Sequence, residues 1–255
     1  MSSGTLYGVS TGPGDPELMT LKAIRIIEQC SVIAAPINFK VTELSPSREK
    51  ARFCTDNARN MSGDAPLTHE TNSAALSIAE QVCDLSGKTV IKLRFTMSRD
   101  KEILSQSHLD IAAEISKYLD DGKDAAFITI GDISIYSTFW YIARILRERG
   151  YEIEVCAGVP SFCAAAAAVK EPLVLGNEPL AVVPAGCREL EKLCSVDGTK
   201  VIMKSGRSVD KIREKLSGKA VYAVENCGYE NQKIFNPLDD TDDSGYFTTI
   251  IVKEE

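Results

Sequence analysis

Short apolar runs and helical stripes alternate along the first two thirds of the chain. "TLYGVS" (Thr5 to Ser10) is a brief apolar run closed by a turn, the pattern of a buried strand. "LMTLKAIRIIEQC" then carries Leu18, Leu21, Ile24 and Ile27 at helical spacing, and "SVIAAP" (Ser31 to Pro36) reads as a second strand stopped by proline. The stretch from Ile37 to Thr68 is polar and irregular, as expected of a loop over a site. After it, "TNSAALSIAEQVCDLSG" predicts a helix capped by Thr71 or Asn72 and closed at Gly87. "KTVIKLRF" (Lys88 to Phe95) is a third strand, "HLDIAAEISKYLDDG" a helix starting near His108, and "DAAFITIGD" (Asp124 to Asp132) a fourth strand. "YSTFWYIARILRERG", "YEIEVCAGVP" and "SFCAAAAAVK" add a helix, a strand and an alanine-rich helix. Strands separated by crossover-length helices predict a mostly parallel α/β sheet.

The pattern breaks around Glu171 to Pro179, in "EPLVLGNEPL", which reads as a linker. Strand patterns follow at "LAVVPA", "TKVIMKS", "KAVYAVEN" and "GYFTTIIVK", with helical ones at "CRELEKLC" and "SVDKIREKL". The fold class expected is therefore α/β with two α/β domains, residues 1–174 and 175–255, and a cleft between them.

Composition narrows the chemistry. The 255 residues are 44% hydrophobic and 25% charged, values of a globular chain with a sizeable core. No apolar run reaches the roughly 20 residues of a membrane span. The first residues, "MSSGTLYGVS", lack a basic and an apolar leader region, so a cytoplasmic address is expected. A net charge of -7 argues against a nucleic-acid partner. The eight cysteines form no C-x-x-C pair and the histidines are only His69 and His108, so no protein-built metal site is expected.

Ligands of open α/β sheets gather beyond the carboxyl ends of strands. Three turns fall there: Ser10 to Asp15, Gly131 to Thr138, and Gly158 to Phe162. The first looks like a phosphate loop but lacks G-x-G-x-x-G, lacks a G-K-[ST] end, and has Pro13, which carries no N–H donor. Taken in order, "GPGDPELMTLKA", "ITIGDISIYSTFWYIARIL" and "EVCAGVPSFCAAAA" resemble the tetrapyrrole (corrin and porphyrin) methylase family. "VIMKSGR" and "VENCGYENQKI" fall where that family has its second-domain signatures, so the likeness spans nearly the full chain. "LYGVSTGPGDPELMTLKA" with "GDISIYSTF" most resembles the C20-methyltransferases of cobalamin biosynthesis, which act on cobalt-factor II or precorrin-2. Ser10-Thr11 before Gly-Pro-Gly resembles the oxygen-independent, cobalt-early branch.

The resemblance implies a homodimeric enzyme that binds S-adenosyl-methionine in the interdomain cleft and methylates a tetrapyrrole. Carried over position by position, Gly131, Asp132, Ile135, Ser137, Thr138, Ser161, Phe162, Met203, Lys204, Glu225, Asn226 and Cys227 would bind the cofactor. Pro13, Asp15, Arg94 and Arg99 would meet the tetrapyrrole, with Lys40 and Arg48 also able to reach its carboxylates. Asp132, Asp15 and Tyr136 are the catalytic candidates, for the cofactor's ammonium or for the proton released. Turn or helix capping is the competing role of both aspartates, and core packing that of Tyr136. Three departures from the family pattern stand out: serine for glycine at Ser10, isoleucine for proline at Ile133, and Phe95-Thr96-Met97 for Phe-Pro-Met.

Methyl transfer from a sulfonium is an in-line displacement that needs the nucleophile about 3 to 3.5 Å from the methyl carbon. The macrocycle supplies that nucleophile, which accounts for a chain without a nucleophile-base pair. Methylation of metal-free precorrin-2, or at another macrocycle position, stays open at this point. So do a tetrapyrrole carrier and an NAD-linked protein.

Overall fold

The computed structural model describes residues 2–37, 73–96, 98, 100–193, 195–205, 216, 219–238 and 245–253. In chain order these form β1 (Leu6–Ser10), α1 (Leu21–Gln29), β2 (Val32–Ile37), α2 (Ala74–Ala79), β3 (Thr89–Arg94) and α3 (Lys101–Asp120). Next come β4 (Ala125–Thr129), α4 (Phe139–Glu148), β5 (Ile153–Cys156) and α5 (Ser161–Val169). The five strands pair in parallel throughout, in the order β3-β2-β4-β1-β5.

Side chains alternate across a strand, so each strand feeds two cores. Leu6, Val32, Ala34 and Phe127 pack under Ile111 and Ile115 of α3 and Phe139 and Ile142 of α4. Val9, Ile33, Ala35 and Ile128 face the opposite way, onto Ala23 and Ile27 of α1 and Ile78 of α2. Helices on both faces explain why these strands read as continuous apolar runs rather than as alternating ones. One consequence positions the site. The chain leaves β1 toward α1 on one face and leaves its neighbour β4 toward α4 on the other. That reversal opens a crevice at the carboxyl ends of β1 and β4.

The remaining strands, β6 (Leu180–Pro184), β7 (Thr199–Met203), β8 (Ala220–Glu225), β9 (Lys233–Phe235) and β10 (Thr248–Lys253), form a second sheet in the order β6-β7-β10-β8-β9. Only β6 and β7 run parallel; the other pairs are antiparallel. One face holds Ile202, Val221, Ala223, Ile250 and Val252, with Leu190 of the short helix α6 (Leu190–Leu193) and Leu216. The other face holds Val224 and Ile251 and is covered by Ala164, Ala165 and Ala166 of α5. An alanine-rich helix, apolar nearly all round, suits that buried place, because small side chains let its backbone approach the sheet. So α5, read as part of the first unit, spends its apolar surface on the second sheet.

Several boundaries differ from the sequence expectation. The N-cap of α2 is Ser73, whose hydroxyl accepts from the amide of Leu76 at 3.4 Å, and the helix ends at Ala79, well before Gly87. α3 begins at Lys101, capped by Asp100, whose carboxylate accepts from the amide of Glu102 at 2.8 Å. Its first turns are largely exposed and so lack an apolar stripe, which hid the true start. His108 is thus inside α3, its ring stacked on Tyr141 with centroids 4.7 Å apart, and burial pushes its pKa down. β9 had no sequence signal. Residues 38–72, with Lys40, Arg48 and His69, lie outside the described residues, as do Arg99 and most of "SVDKIREKL". Among the described residues no helix is long and apolar enough to cross a membrane.

Candidate active site

The three turns singled out from sequence follow β1, β4 and β5, which lie side by side. The parallel register sets Ser10 beside Thr129 and Val9 beside Cys156, so the three strand ends are level. Backbone bonds join the first two turns. The amide of Thr11 donates to the carbonyl of Thr129 at 2.8 Å, and that of Gly131 to the carbonyl of Gly12 at 2.6 Å. Both glycines have φ of +75°, a conformation that suits residues without a Cβ.

Asp132 joins the second turn to the third. One carboxylate oxygen accepts from the amide of Gly158 at 2.7 Å; the other accepts from the amide of Ser134 at 2.8 Å and from the Ser134 hydroxyl. Burial alone would raise its pKa, but the Gly158 amide and both donors of Ser134 outweigh that and hold the carboxyl below its usual range. Each oxygen thus helps to hold these loops in place. Beyond Asp132, the Ser137 hydroxyl accepts from the amide of Phe139 at 3.2 Å, and Thr138 is exposed at the start of α4. Phe139 and Trp140 pack the helix, the indole N–H donating to the carbonyl of Ile133 at 2.9 Å. Tyr136 has φ of +49° and its hydroxyl donates to the carbonyl of Val182 in β6 at 2.8 Å, reaching the second sheet.

The second sheet brings its own turns. Met203 ends β7, and Lys204 follows with φ of +57°. Glu225 ends β8, and Asn226 follows with φ of +50°, its amide bonded to the carbonyl of Phe247 at 3.1 Å. A Glu225 carboxylate oxygen accepts from the amide of Gly245 at 2.8 Å. The antiparallel β10 starts at this same end of the sheet, which sets the exposed rings of Tyr246 and Phe247 beside these turns. Neither ring had been singled out, because an aromatic pair before a strand reads as strand core.

The opening loop interlocks with the loop after β8. A Cβ on Gly14 would lie 2.4 Å from the carbonyl oxygen of Cys227, and one on Gly228 would lie 2.5 Å from the amide nitrogen of Asp15. Pro13 and Gly14 are buried there, while the Asp15 side chain accepts from the amide of Glu17 at 2.9 Å as a cap. Cys227 is buried, which pushes its thiol up to about 11, so it stays protonated near neutrality. Tyr229 packs onto the core beneath α1, and its buried hydroxyl has no hydrogen-bond partner among the described residues. Arg94 is exposed at the end of the edge strand β3, two strands away from β4.

The chemistry of this lining fits a sulfonium nucleoside of the kind the sequence resemblance implies. Pro160 supplies no side-chain cap to α5, so the amides of Ser161 and Phe162 stand at an uncapped positive helix end suited to a carboxylate. Phe162 is buried, and Met203 adds a second apolar surface.

Comparison with known proteins matches the sequence and the fold. A family model described as Tetrapyrrole (Corrin/Porphyrin) Methylases matches residues 5–242. A protein of Methanocaldococcus jannaschii named "Probable cobalt-precorrin-2 C(20)-methyltransferase" is 32% identical over 235 residues, covering 90% of this chain and 85% of its own. The precorrin-2 C(20)-methyltransferase of a Sinorhizobium species is 26% identical, covering 98% of this chain and 95% of its own. The uroporphyrin-III C-methyl transferase of Thermus thermophilus, solved in complex with S-adenyl homocysteine, superposes with a TM-score of 0.64 at 18% identity, covering 98% of each chain. The chain belongs to the tetrapyrrole (corrin/porphyrin) methylase family and is an S-adenosyl-methionine-dependent methyltransferase.

Proposed function

We propose that this enzyme methylates C20 of a cobalt-bearing precorrin-2-type tetrapyrrole, the cobalt-factor II of the sequence reading. The observation that carries the reading is the likeness to the cobalt-precorrin-2 relative, 32% identical over nine tenths of the chain, against 26% for the precorrin-2 relative. Metal-free precorrin-2 is the second reading, and that same 26% relative supports it.

The cofactor would lie against the turns after β4, β5, β7 and β8. Gly131, Ile135, Ser137, Thr138, Ser161, Phe162, Met203, Lys204, Glu225, Asn226 and Cys227 line it. The uncapped amides of Ser161 and Phe162 would hold its carboxylate, and the Glu225 and Asn226 turn would hold its nucleoside end. When bound, it supplies the electrophilic methyl group. The residues of this chain exclude water and fix the two reactants in line, which is where most of the acceleration arises. Asp132 acts by keeping the second and third turns together, since both of its oxygens already accept hydrogen bonds. Tyr136 fastens the first sheet's turn to β6 through Val182. Pro13 and Asp15 border the tetrapyrrole, with Arg94 and Arg99 at its carboxylate rim.

The two-unit division at residues 174/175, a homodimer and a cytoplasmic address belong to the same proposal. The test is anaerobic turnover with S-adenosyl-methionine, offering cobalt-factor II and precorrin-2 side by side and following product mass. A gain of one methylene on cobalt-factor II, with little on precorrin-2, is the expected result. Turnover of precorrin-2 alone would reverse the assignment, and binding of both without turnover would point to a carrier.

A further inference from the structure

Ser10 ends β1, the strand between β4 and β5, and its side chain is fully buried. Its hydroxyl donates to the carbonyl of Cys156 at the end of β5 and accepts from the amide of Ile133 in the turn after β4, each at 2.9 Å. All three turns are therefore joined through one oxygen atom. The arrangement needs a bare backbone opposite, because a Cβ on Gly158 would lie 2.4 Å from the Cβ of Ser10.

Ile133 is the second residue of the turn Asp132 to Ile135, which is closed by the amide of Ile135 donating to the carbonyl of Asp132 at 3.1 Å. That is the position where proline is favoured, since its fixed φ presets the turn. Here the residue keeps an N–H, and the N–H goes to Ser10. Its side chain is buried over Gly8, where a Cβ would lie 2.4 Å from the Ile133 Cδ1. Ser10 and Ile133 are the two ends of a single hydrogen bond. Glycine at 10 offers no acceptor and would strand a buried amide; proline at 133 offers no donor.

We propose that Ser10 is a positioning residue of the cofactor site, and that Ser10 and Ile133 form a matched pair whose hydrogen bond replaces the rigidity of a proline. The pair fixes the turn carrying Asp132 and Ile135 relative to the one carrying Ser161. This rests on the cofactor reading above, and the test keeps the two apart.

The experiment compares the full-length protein with Ser10→Gly, Ile133→Pro and the double variant. Calorimetric titration with S-adenosyl homocysteine gives the Kd of each, and melting without ligand gives the stability of each. Amide hydrogen exchange at Ile133 is followed in the wild type and in Ser10→Gly. Ser10→Gly is expected to lower the melting temperature, because it orphans a buried donor, and to weaken binding about tenfold, because the turn carrying Asp132 and Ile135 is no longer held for the ligand. Adding Ile133→Pro to it should cost nothing further or recover affinity, and the Ile133 amide should be protected in the wild type and lose protection in Ser10→Gly. Folding of the double variant where Ser10→Gly fails to fold would also support the pair.

Effects of the two substitutions on Kd that multiply to within about twofold would overturn the pairing. An Ile133 amide whose exchange ignores Ser10 would do the same, and so would a double variant that does not fold. Lowered melting temperatures with an unchanged Kd would remove the positioning role. If the wild type binds no S-adenosyl homocysteine, the cofactor reading fails. The melting temperatures and the exchange at Ile133 then still decide whether the pair exists.

Discussion

The two sheets build their sides of the crevice by different means. On the parallel sheet, three turns are fastened to one another by buried side chains, with Ser10 and Asp132 bridging from turn to turn. On the mixed sheet, Lys204 and Asn226 hold left-handed backbone, and main-chain bonds such as that from Asn226 to Phe247 shape the turns alongside side-chain links from Ser205 and Glu225. The first construction depends on a few polar atoms and on bare glycine opposite them. The second leans more on left-handed backbone at non-glycine residues. A parallel sheet aligns its strand ends level, so neighbouring turns can cross-link. In an antiparallel pair, neighbouring strands alternate direction, so fewer strand ends share one edge.

The sharpest way to break this contrast is Gly158→Ala. Its new Cβ would sit 2.4 Å from the Ser10 Cβ and 3.1 Å from the Gly131 carbonyl oxygen, forcing apart turns that cannot yield separately. We expect a loss of roughly 2–4 kcal/mol in stability, read by urea denaturation, with S-adenosyl homocysteine binding abolished. A variant with near-native stability and affinity would show that the turns move freely.

Asp132→Asn comes next, with an expected loss of about 1–3 kcal/mol near neutral pH, because one acceptor oxygen becomes a donor facing a donor. The folded carboxyl is held below its usual range, so its stabilising contribution is fully present above the unfolded pKa. It is lost as pH falls through the lower folded value. The gap in melting temperature between wild type and variant should therefore be full at pH 7 and narrow below about pH 4. A gap constant across that range would mean that the charge of Asp132 does not fasten the turns.

The smallest effect is expected on the other sheet. Lys204→Gly removes the Cβ from a left-handed residue, which costs a non-glycine roughly 1–2 kcal/mol, but adds the backbone entropy of glycine. The net expectation is between no change and a gain of about 1 kcal/mol, read as melting temperature. A clear loss would assign the Lys204 side chain a holding role and erase the difference between the two constructions.

Much of this was legible from the sequence, for reasons that differ by element. The strands of the first sheet are buried on both faces and announce themselves as apolar runs such as "AAFIT". The start of α3 was hidden because its first turns face solvent, leaving only Ser98 and Asp100 as signals. β9 is three residues long, with its central residue Ile234 half exposed, and gives no periodicity to read. Among site residues, the three turns were visible from glycine spacing and Gly228 and Tyr229 lay within the quoted "VENCGYENQKI", whereas the packing of those two and the place of Tyr246 and Phe247 were not. They become part of the crevice only through pairings distant along the chain.

Local physics in the chain determined where strands stop, which turns need glycine, and that Pro13 removes a donor from the opening loop. Those are properties of a residue and its near neighbours. Tertiary structure alone decided that β1 lies between β4 and β5, and so that one serine hydroxyl meets two turns more than a hundred residues away. It also sent α5 onto the second sheet rather than the first. Strand order follows from which apolar faces can be buried together, a property of the whole chain that no short stretch of it carries.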